Sequence, residues 1–377
     1  MLASSKQWLS ARFSEGARNR IKRLIWSCGP SRLFSALLAR KDAFERHFKR
    51  APAAIMLYPT NLCNALCTFC AYPTNTDPKH SMPNEIAFSV IDNFVAMGGG
   101  QQVDFTTNLG DPLVDPRLAD KLAYAKSKGV RHTKFYTNGI LLDRAGLIER
   151  IAPNLDELRI SLPGLDRQNY LEVFKVDKAE KVTRGLLKLA EHKKKTGQPK
   201  QVTLELRSSR PLDVVMRDEG MIKLKPYIDE GILALGSFRT EFDTYGGTIT
   251  GADMSGVMKI RKQEKERSAP CAALFVNPGI LPDGHVRACS CWYIKTNYDK
   301  LTLESTTEKP LSEILFGDRH RAVLADWIQG DLPPPCPECS NYTPVLFSLK
   351  DMVGMAAALA HGSAGADKQV TSFAGSR

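Results

Sequence analysis

Eight of the nine cysteines in this chain form two groups whose spacings suit metal binding. In the first group, Cys63, Cys67 and Cys70 have the pattern C-x3-C-x2-C and directly follow a strand-like apolar run at residues 54–58. Cysteine thiolates are the usual ligands of iron–sulfur clusters, and a cubane cluster has four irons. Three thiolates would therefore leave one iron open to a small molecule. The alternative interpretations are a zinc knuckle on Cys67 and Cys70, or buried thiols without a metal.

A long cysteine-free gap separates this group from the second one, which contains Cys271, Cys289, Cys291, Cys336 and Cys339. Two separate groups suit metal sites in a reducing compartment better than the disulfide framework of a secreted protein. No apolar run approaches the ~18–20 residues that span a bilayer. We therefore predict a cytoplasmic protein, in which the isolated Cys28 is an ordinary buried thiol.

Positive charge is concentrated at the amino end of the chain. Residues 1–50 carry twelve Lys/Arg and three Asp/Glu, a net of +9 out of a formal +11 for the chain, and apolar residues recur there at helical spacing. We expect a helical extension that packs its apolar stripe on the rest of the protein. Contact with an anionic membrane surface or an acidic partner, and an organellar presequence, are the alternatives. Charges interrupt every candidate apolar core of a secretory signal.

These thiols must be positioned by the alternating elements between residues 54 and 235. Strand-like and helix-like runs alternate there, which predicts parallel βαβ units. The predicted fold is α/β, a partial (β/α)6 TIM-like barrel, with functional residues at the carboxyl ends of the strands. After the first run, the predicted strands are 103–107, 133–137, 157–162, 202–206 and 232–235. The predicted helices include one that starts within 81–85 and stops at the glycines 98–100, followed by 116–127, 143–151 and 181–194.

The first cysteine group resembles the C-x3-C-x-aromatic-C motif of the radical S-adenosylmethionine (SAM) superfamily, because Phe69 directly precedes Cys70. The resemblance implies a [4Fe–4S] cluster on Cys63, Cys67 and Cys70, with SAM bound at the open iron. It also implies that Phe69 could face a base or ring.

Several predicted strand ends extend this resemblance over roughly residues 51–250. Gly110-Asp111-Pro112 resembles the motif that holds the SAM amino group, although Asp111 replaces the usual Glu and Leu109 the first Gly. The resemblance further implies that Asn138 and Ser161 lie near the cofactor, and Arg207 could reach the SAM carboxylate or the substrate. Taken alone, a Gly-Asp-Pro sequence is more often a turn, and a serine at a strand end is more often simply solvated.

The second cysteine group resembles the auxiliary-cluster domain called SPASM, in its shortened twitch form. A hairpin at 275–286, turning at Asp283-Gly284, would bring Cys271 and Cys289 together, and Cys336-Pro-Glu-Cys339 would complete four thiolate ligands. We expect one auxiliary [4Fe–4S] cluster, with Cys291 as an alternative to Cys289. A zinc ribbon on the same four ligands is the competing interpretation.

The resemblance divides the chain into a basic extension (1–50), a radical SAM core (51–260), an auxiliary-cluster domain (265–345) and a short helix with a disordered tail (346–377). It implies reductive cleavage of SAM to a 5′-deoxyadenosyl radical and hydrogen abstraction from a small polar substrate such as a sugar, aminocyclitol or saccharide precursor. The expected result is oxidation or epimerisation, with the auxiliary cluster as electron acceptor and a flavodoxin- or ferredoxin-type donor.

Three alternatives remain at the sequence level: a peptide- or protein-modifying enzyme, an iron–sulfur electron carrier, and a zinc-stabilised interaction protein. No nucleic-acid-binding motif accompanies the basic terminus, so we expect no nucleic-acid partner. The sequence gives no ground for choosing a substrate-binding or proton-transferring residue among Tyr170, Arg239, Glu241 and Tyr245, which are polar groups near predicted strand ends.

Overall fold

The fold is seen in a computed structural model, which describes residues 51–262, 271, 273–276, 278–290, 296–334 and 336–342. The basic extension 1–50, the tail 346–377, Cys28 and Cys291 lie outside the described residues. None of the described helices is long and apolar enough to span a bilayer.

Six parallel strands form the centre of the structure and lie side by side in chain order. This arrangement confirms the predicted α/β fold with a partial barrel. The strands are β1 (Ala54–Leu57), β2 (Gln102–Asp104), β3 (His132–Thr137), β4 (Glu157–Leu162), β5 (Gln201–Leu206) and β6 (Ala234–Phe238).

Helices cross over between the strands and cover one face of the sheet. They are α1 (Asn84–Ala96), α2 (Leu118–Ser127), α3 (Leu147–Ile151), α4 (Arg167–Phe174), α5 (Ala179–Thr196), α6 (Leu212–Val215) and α7 (Glu219–Asp229), with short 3-10 turns at Tyr72–Thr74, Pro112–Val114, Ala152–Asn154 and Gly251–Asp253. The prediction of a helix over 143–151 was too long, because Gly146 (φ +70°) directly precedes α3. Helix α4 was not predicted.

Alternate residues of the strands face opposite sides of the sheet. One set is apolar and fully or almost fully buried in the hydrophobic core with the helices, as at Ile55, Val103, Phe135, Leu158 and Leu204. The other set, on β2 to β5, is polar and charged. This alternation gives the barrel an apolar outer face that packs against the helices and a polar, charged interior.

The carboxyl-terminal third extends the same sheet. A small parallel pair, β7 (Glu241–Phe242) with β8 (Lys259–Ile260), comes first. Strand β9 (Gly279–Ile280) then pairs in parallel with β1, and β10 (His285–Arg287) and β11 (Thr302–Ser305) continue antiparallel. The nine-stranded order is therefore β11-β10-β9-β1-β2-β3-β4-β5-β6. The remaining helices are α8 (Ala273–Val276), α9 (Leu311–Phe316) and α10 (Asp318–Gln329).

The predicted hairpin is present but shorter than expected. Residues 273–276 are helical, so the hairpin begins only at Gly279. Its turn lies at Asp283-Gly284, as predicted, and Gly284 adopts φ +94°, a left-handed conformation that favours glycine. Both edges of the hairpin are paired, because β9 forms hydrogen bonds with β1 and β10 forms hydrogen bonds with β11.

Candidate functional site

The first cysteine loop directly follows β1 and is held by helix α4. The backbone N–H groups of Leu66 and Thr68 donate to the carbonyl oxygens of Phe174 (3.1 Å) and Val173 (2.9 Å), the last residues of α4. The backbone N–H of Cys63 donates to the Tyr72 hydroxyl at 3.0 Å. The helix that the sequence analysis missed thus fixes the conformation of the thiol loop.

The three thiols of this loop are half-buried and form no disulfide. Burial raises the pKa of Cys63 to about 12, and the nearby Asp111 carboxylate adds to the effect. Burial also raises the pKa of Cys67 and of Cys70, although Arg207 opposes the rise at both. Such thiols ionise readily only beside a strong positive centre, which an iron centre supplies. The donor chemistry therefore fits a thiolate-bound cluster.

The loop after β2 lies directly against the chain that leads into Cys63. Gly110 has φ +138°, and a Cβ there would lie 3.0 Å from the carbonyl oxygens of both Thr60 and Leu62. Beside it, Thr107 Oγ1 and Asn108 Nδ2 are buried and have no hydrogen-bond partner among the described residues. Orphaned polar atoms at this position fit a polar ligand. The Thr107 hydroxyl could accept from an amino group such as the one that the resemblance places here, and Asn108 Nδ2 could donate to an oxygen of the ligand.

Asp111, predicted to bind the cofactor, is fully engaged with the protein. Its carboxylate accepts hydrogen bonds from Thr137 Oγ1 (3.0 and 2.8 Å) and from the backbone N–H groups of Asn138 (2.7 Å) and Leu113 (3.0 Å). Burial raises the pKa of Asp111 despite these donors. The side chain joins the end of β2 to the end of β3.

Asn138 extends this connection to the cysteine loop. Its Nδ2 group donates to Asn64 Oδ1 at 2.7 Å and lies 3.9 Å from Cys63 Sγ. Its Oδ1 accepts from the backbone N–H of Ile140 at 3.0 Å. Asn138 is therefore positioned to orient the first cysteine, and its contact with SAM stays a prediction.

Phe69 packs within the protein. Its ring stacks on Phe242 with centroids 4.7 Å apart and meets Phe174 edge-on at 6.0 Å. The guanidinium carbon of Arg207 lies 5.8 Å from its centroid, and the Arg207 backbone N–H donates to Leu162 O beyond the buried Ser161. Contact of Phe69, Ser161 and Arg207 with a cofactor stays a prediction.

A polar network lines the interior of the barrel on β2 to β5. Arg159 Nη1 lies 3.0 Å from both Glu205 Oε1 and the Tyr136 hydroxyl, and Arg159 also pairs with Glu157. Lys134 Nζ lies 3.4 Å from Asp104 on the neighbouring strand. The sequence analysis missed this network. Its signal was the alternation of polar with apolar residues along β3, β4 and β5.

The four cysteines predicted as auxiliary ligands come together. Cys271, Cys289, Cys336 and Cys339 line one pocket, together with the apolar and aromatic residues Leu274, Leu301, Trp327 and Tyr342. Trp327 Nε1 donates to Cys336 Sγ at 3.4 Å. Burial raises the pKa of Cys336 to about 12 and that of Cys339 further. No three Cys, His, Asp or Glu side chains of the described residues are arranged to hold a single metal ion.

The carboxyl-terminal third contacts both ends of the parallel sheet. On the β1 side, the Tyr58 hydroxyl donates to Ser290 O at 2.6 Å. Beyond β6, Ser340 Oγ donates to Asp243 at 2.7 Å, and Arg261 Nη1 donates to Asn341 Oδ1 at 2.6 Å. The segments that carry the second group of cysteines therefore form hydrogen bonds with residues on both sides of the barrel opening.

The sequence analysis found no ground for choosing among four polar residues as substrate-binding or proton-transferring groups, and these four occupy different environments. Tyr170 is fully buried, with its hydroxyl 3.5 Å from Asn138 O, and Glu241 pairs with Lys259 at 3.2 Å. Tyr245 lies in a loop with φ +46°. Arg239 directly follows β6, at the same end of the sheet as the cysteine loop.

Comparison with known proteins agrees with this geometry. Residues 57–201, less than half of the chain, match the family model described as the Radical SAM superfamily. The GTP 3',8-cyclase of Chlorobaculum tepidum is 28% identical over 155 residues, 40% of this chain and 45% of the relative. The dTDP-4-amino-4,6-dideoxy-D-glucose ammonia-lyase of Streptomyces venezuelae is 34% identical over 142 residues, 37% of this chain and 27% of the relative. The chain spans less than half of the length of these curated relatives.

Two solved structures share the fold. BtrN in complex with AdoMet and 2-DOIA has a TM-score of 0.52 and 13% identity, covering 79% of this chain and 97% of BtrN. Streptococcus suis SuiB bound to the precursor peptide SuiA has a TM-score of 0.53 and 15% identity, covering 80% of this chain and 74% of SuiB. At these identities the likeness concerns the fold alone.

Proposed function

We propose that the protein is a radical SAM enzyme that binds SAM and a [4Fe–4S] cluster at Cys63, Cys67 and Cys70. The observation that carries the proposal is the placement of these three half-buried thiols after β1, in a segment that matches this superfamily. When bound, the cluster and SAM supply reductive cleavage of SAM to a 5′-deoxyadenosyl radical that takes hydrogen from a substrate. Asn138 orients Cys63, and Gly110 allows the β2 loop to approach the cysteine chain closely.

The substrate class that fits best is a small polar molecule such as a sugar, aminocyclitol or saccharide precursor, which the enzyme oxidises or epimerises. The charged barrel interior around Arg159 offers both donors and acceptors to hydroxyl and amino groups. The ammonia-lyase relative acts, by its name, on an amino-dideoxyglucose nucleotide. The likeness to BtrN over almost its whole length supports the same choice.

The second thiol group is proposed to hold an auxiliary [4Fe–4S] cluster on Cys271, Cys289, Cys336 and Cys339 in a SPASM/twitch-like domain. The shared pocket and the Trp327 contact support this ligand set. With four protein ligands, such a cluster would accept an electron from the substrate rather than bind it. The first electron would come from a flavodoxin- or ferredoxin-type donor in the cytoplasm.

A peptide substrate is the second candidate. Strand β6 ends the described sheet, and its residues 234–237 are exposed. An extended peptide can add a strand to such an edge. The fold likeness to SuiB bound to its precursor peptide favours this alternative, in which the protein is a maturase.

The deciding experiment is anaerobic iron and sulfide quantification followed by a SAM-cleavage assay with dithionite. We expect about eight irons per chain if both sites hold cubanes. Cys70→Ala should abolish SAM cleavage, Cys289→Ala should lose the auxiliary irons, and Cys291→Ala should retain both sites. Colourless protein, zinc without iron, or iron without SAM cleavage would reject the enzyme and leave a carrier or interaction protein.

The substrate class is decided by isotope transfer. Deuterium transferred into 5′-deoxyadenosine from a labelled sugar or aminocyclitol would support the small-molecule proposal. Transfer from a labelled peptide instead would support the maturase. The basic residues 1–50 provide the further option of binding an acidic partner or anionic membrane surface, and a variant without them should cleave SAM normally.

A further inference from the structure

Two arginines lie side by side at the end of the sheet that carries the thiol loop. Strands β5 and β6 pair in parallel with Leu206 beside Phe238, and each of these residues is followed by an arginine, Arg207 and Arg239. The backbone N–H of Arg239 donates to Leu206 O at 2.8 Å, which fixes this register. Like charges at neighbouring cross-strand positions repel each other. Arg239 is exposed and Arg207 half-buried, so solvent screens part of this repulsion, and an anion beside the two groups would remove more of it.

None of the residues that the structure describes supplies such an anion to Arg207 or Arg239 through an ion pair. The other cations nearby have carboxylate partners: Lys134 pairs with Asp104, Arg159 with Glu157 and Glu205, and Arg261 with Asp243. Within the described part of the chain, neither Arg207 nor Arg239 forms an ion pair or a side-chain hydrogen bond.

Asp243, a carboxylate that influences the pKa of Arg239, is already engaged by three other residues. It accepts from Ser340 Oγ at 2.7 Å and from Asn341 Nδ2 at 3.2 Å, besides its 3.1 Å contact with Arg261. Burial lowers the pKa of Arg239, and repulsion from Arg207 and Arg261 lowers it further. The positive charges at this position therefore exceed the negative charges that the described residues provide.

Arg207 and Arg239 have different further neighbours. Arg207 is beside Phe69 and close enough to Cys67 and Cys70 to influence both thiols, so it belongs to the cofactor side. Arg239 directly follows β6 and lies close enough to Tyr136, whose hydroxyl belongs to the barrel-interior network, for that group to influence its pKa. Arg239 is therefore near both Arg207 and the barrel-interior network.

We propose that Arg239, beside Arg207, binds an anionic group of the substrate, either a phosphate or a carboxylate. The inference rests on the proposed function and narrows its substrate class to polar molecules with such a group. The guanidinium fork matches both anions through two parallel hydrogen bonds. SAM brings one carboxylate, which Arg207 can neutralise, so that the second positive charge remains for the substrate.

The test uses the anaerobically reconstituted holoenzyme with SAM bound, titrated separately with inorganic phosphate and with acetate by calorimetry. We expect at least one anion to bind, and Arg239→Gln to weaken that binding at least about tenfold, because a charge-assisted pair is lost. The anion affinity of Arg239→Lys should lie between those of wild type and Arg239→Gln, since an ammonium keeps the positive charge but lacks the two parallel donors of the guanidinium. Arg217→Gln is the matched control, because Arg217 is exposed and paired with Asp213 at 2.7 Å.

The two anions distinguish the sources of the group: preferential phosphate binding supports a phosphorylated substrate, and preferential acetate binding supports a carboxylate. Binding of neither anion, or equal binding to wild type and Arg239→Gln, would overturn the inference. So would a loss of SAM affinity in Arg239→Gln as large as its loss of anion affinity. Dithionite-driven SAM cleavage is measured on the same samples, and its absence from wild type would reject the proposed function instead.

Discussion

The Asp77 carboxylate accepts hydrogen bonds from the backbone N–H of Asn297 at 3.0 Å and from its side-chain Nδ2 at 2.6 Å. Asp77 lies shortly after the first cysteine group, and Asn297 lies between Cys289 and Cys336. Asp77 is buried, and it also accepts from the Thr296 hydroxyl. One carboxylate thus joins the segment that follows the first thiol group to the segment that carries the second.

Replacing Asp77 should loosen the second thiol group more than the first. In Asp77→Ala, buried donors of Asn297 and Thr296 lose their acceptor, which costs on the order of 2–3 kcal/mol of unfolding free energy. We expect a lower melting temperature and fewer auxiliary irons, with dithionite-driven SAM cleavage retained. Asp92→Ala is the control, because Asp92 is an exposed carboxylate that pairs with Lys128. Equal iron content and melting temperature in the two variants would contradict the role of Asp77.

Asp111→Asn should weaken the junction between β2 and β3. An amide has only one acceptor oxygen, so its NH2 group would face the backbone N–H of Leu113 or of Asn138, both of which now donate to Asp111. We expect a loss of about 2–3 kcal/mol in urea unfolding and weaker SAM binding in equilibrium dialysis. The exposed Asp213→Asn should change neither. Wild-type behaviour of Asp111→Asn would show that the carboxylate charge is dispensable there.

The barrel-interior network predicts a pH dependence. The hydrogen bond from His132 and the contact with Arg159 lower the pKa of Glu157 from 4.5 to about 2, although burial opposes them. Because the folded-state pKa is depressed, the contribution of Glu157 is complete above pH 4.5 and is lost as the pH falls through about 2. The stability difference between wild type and Glu157→Gln should therefore shrink by up to about 3 kcal/mol over this window.

This dependence is measurable by urea unfolding of the metal-free protein, followed by circular dichroism at a series of pH values. The metal-free form is chosen because acid would otherwise release a bound cluster during the titration. Parallel stability curves for wild type and Glu157→Gln between pH 2 and 5 would show that Glu157 is not stabilised as an ion in the folded state.

Trp327→Phe should change the redox potential of the auxiliary site. Hydrogen bonds to ligand sulfurs stabilise the more negative, reduced form of an iron–sulfur cluster. Loss of the Trp327 Nε1 donation to Cys336 Sγ should shift the potential negatively by on the order of tens of millivolts. A titration followed by electron paramagnetic resonance measures this, with iron content unchanged. Tyr342→Phe, which keeps the ring stacked on Trp327, is the control, and equal potentials in all three proteins would exclude the effect.

Much of the barrel could be predicted because its signals are local. Alternating apolar runs and helical periodicity placed all six parallel strands within a few residues. Because functional residues of such barrels lie at the carboxyl ends of the strands, Gly110, Asn138 and Arg207 could be placed at the same end of the sheet. The packing of Phe69 could not be predicted, because Phe242, on which its ring stacks, is distant in sequence and no local pattern indicates the contact. Tertiary context also overrode the hairpin pattern before Gly279, where a short helix forms.

Other features had no local signal that could separate them from surface residues. Helix α4 is short and polar on one side, so its apolar pattern is weak, and its role in holding the cysteine loop depends on the folded chain. Nothing in the sequence distinguishes Asp77 from the other acidic residues, because its contact with Asn297 forms only in the folded chain. Arg239 became distinguishable from the other polar candidates only when the strand register placed it beside Arg207.

The parallel pairing of β1 with β9 has a consequence for how the protein is made. These strands are far apart in sequence, so their contact forms late compared with the local βαβ units. Until the carboxyl-terminal third has been synthesised, the backbone of β1 next to the first cysteine loop lacks this strand, and unpaired strand edges recruit other chains. A ribosome-released fragment ending near residue 262 should therefore aggregate, even though it contains the whole segment that matches the superfamily.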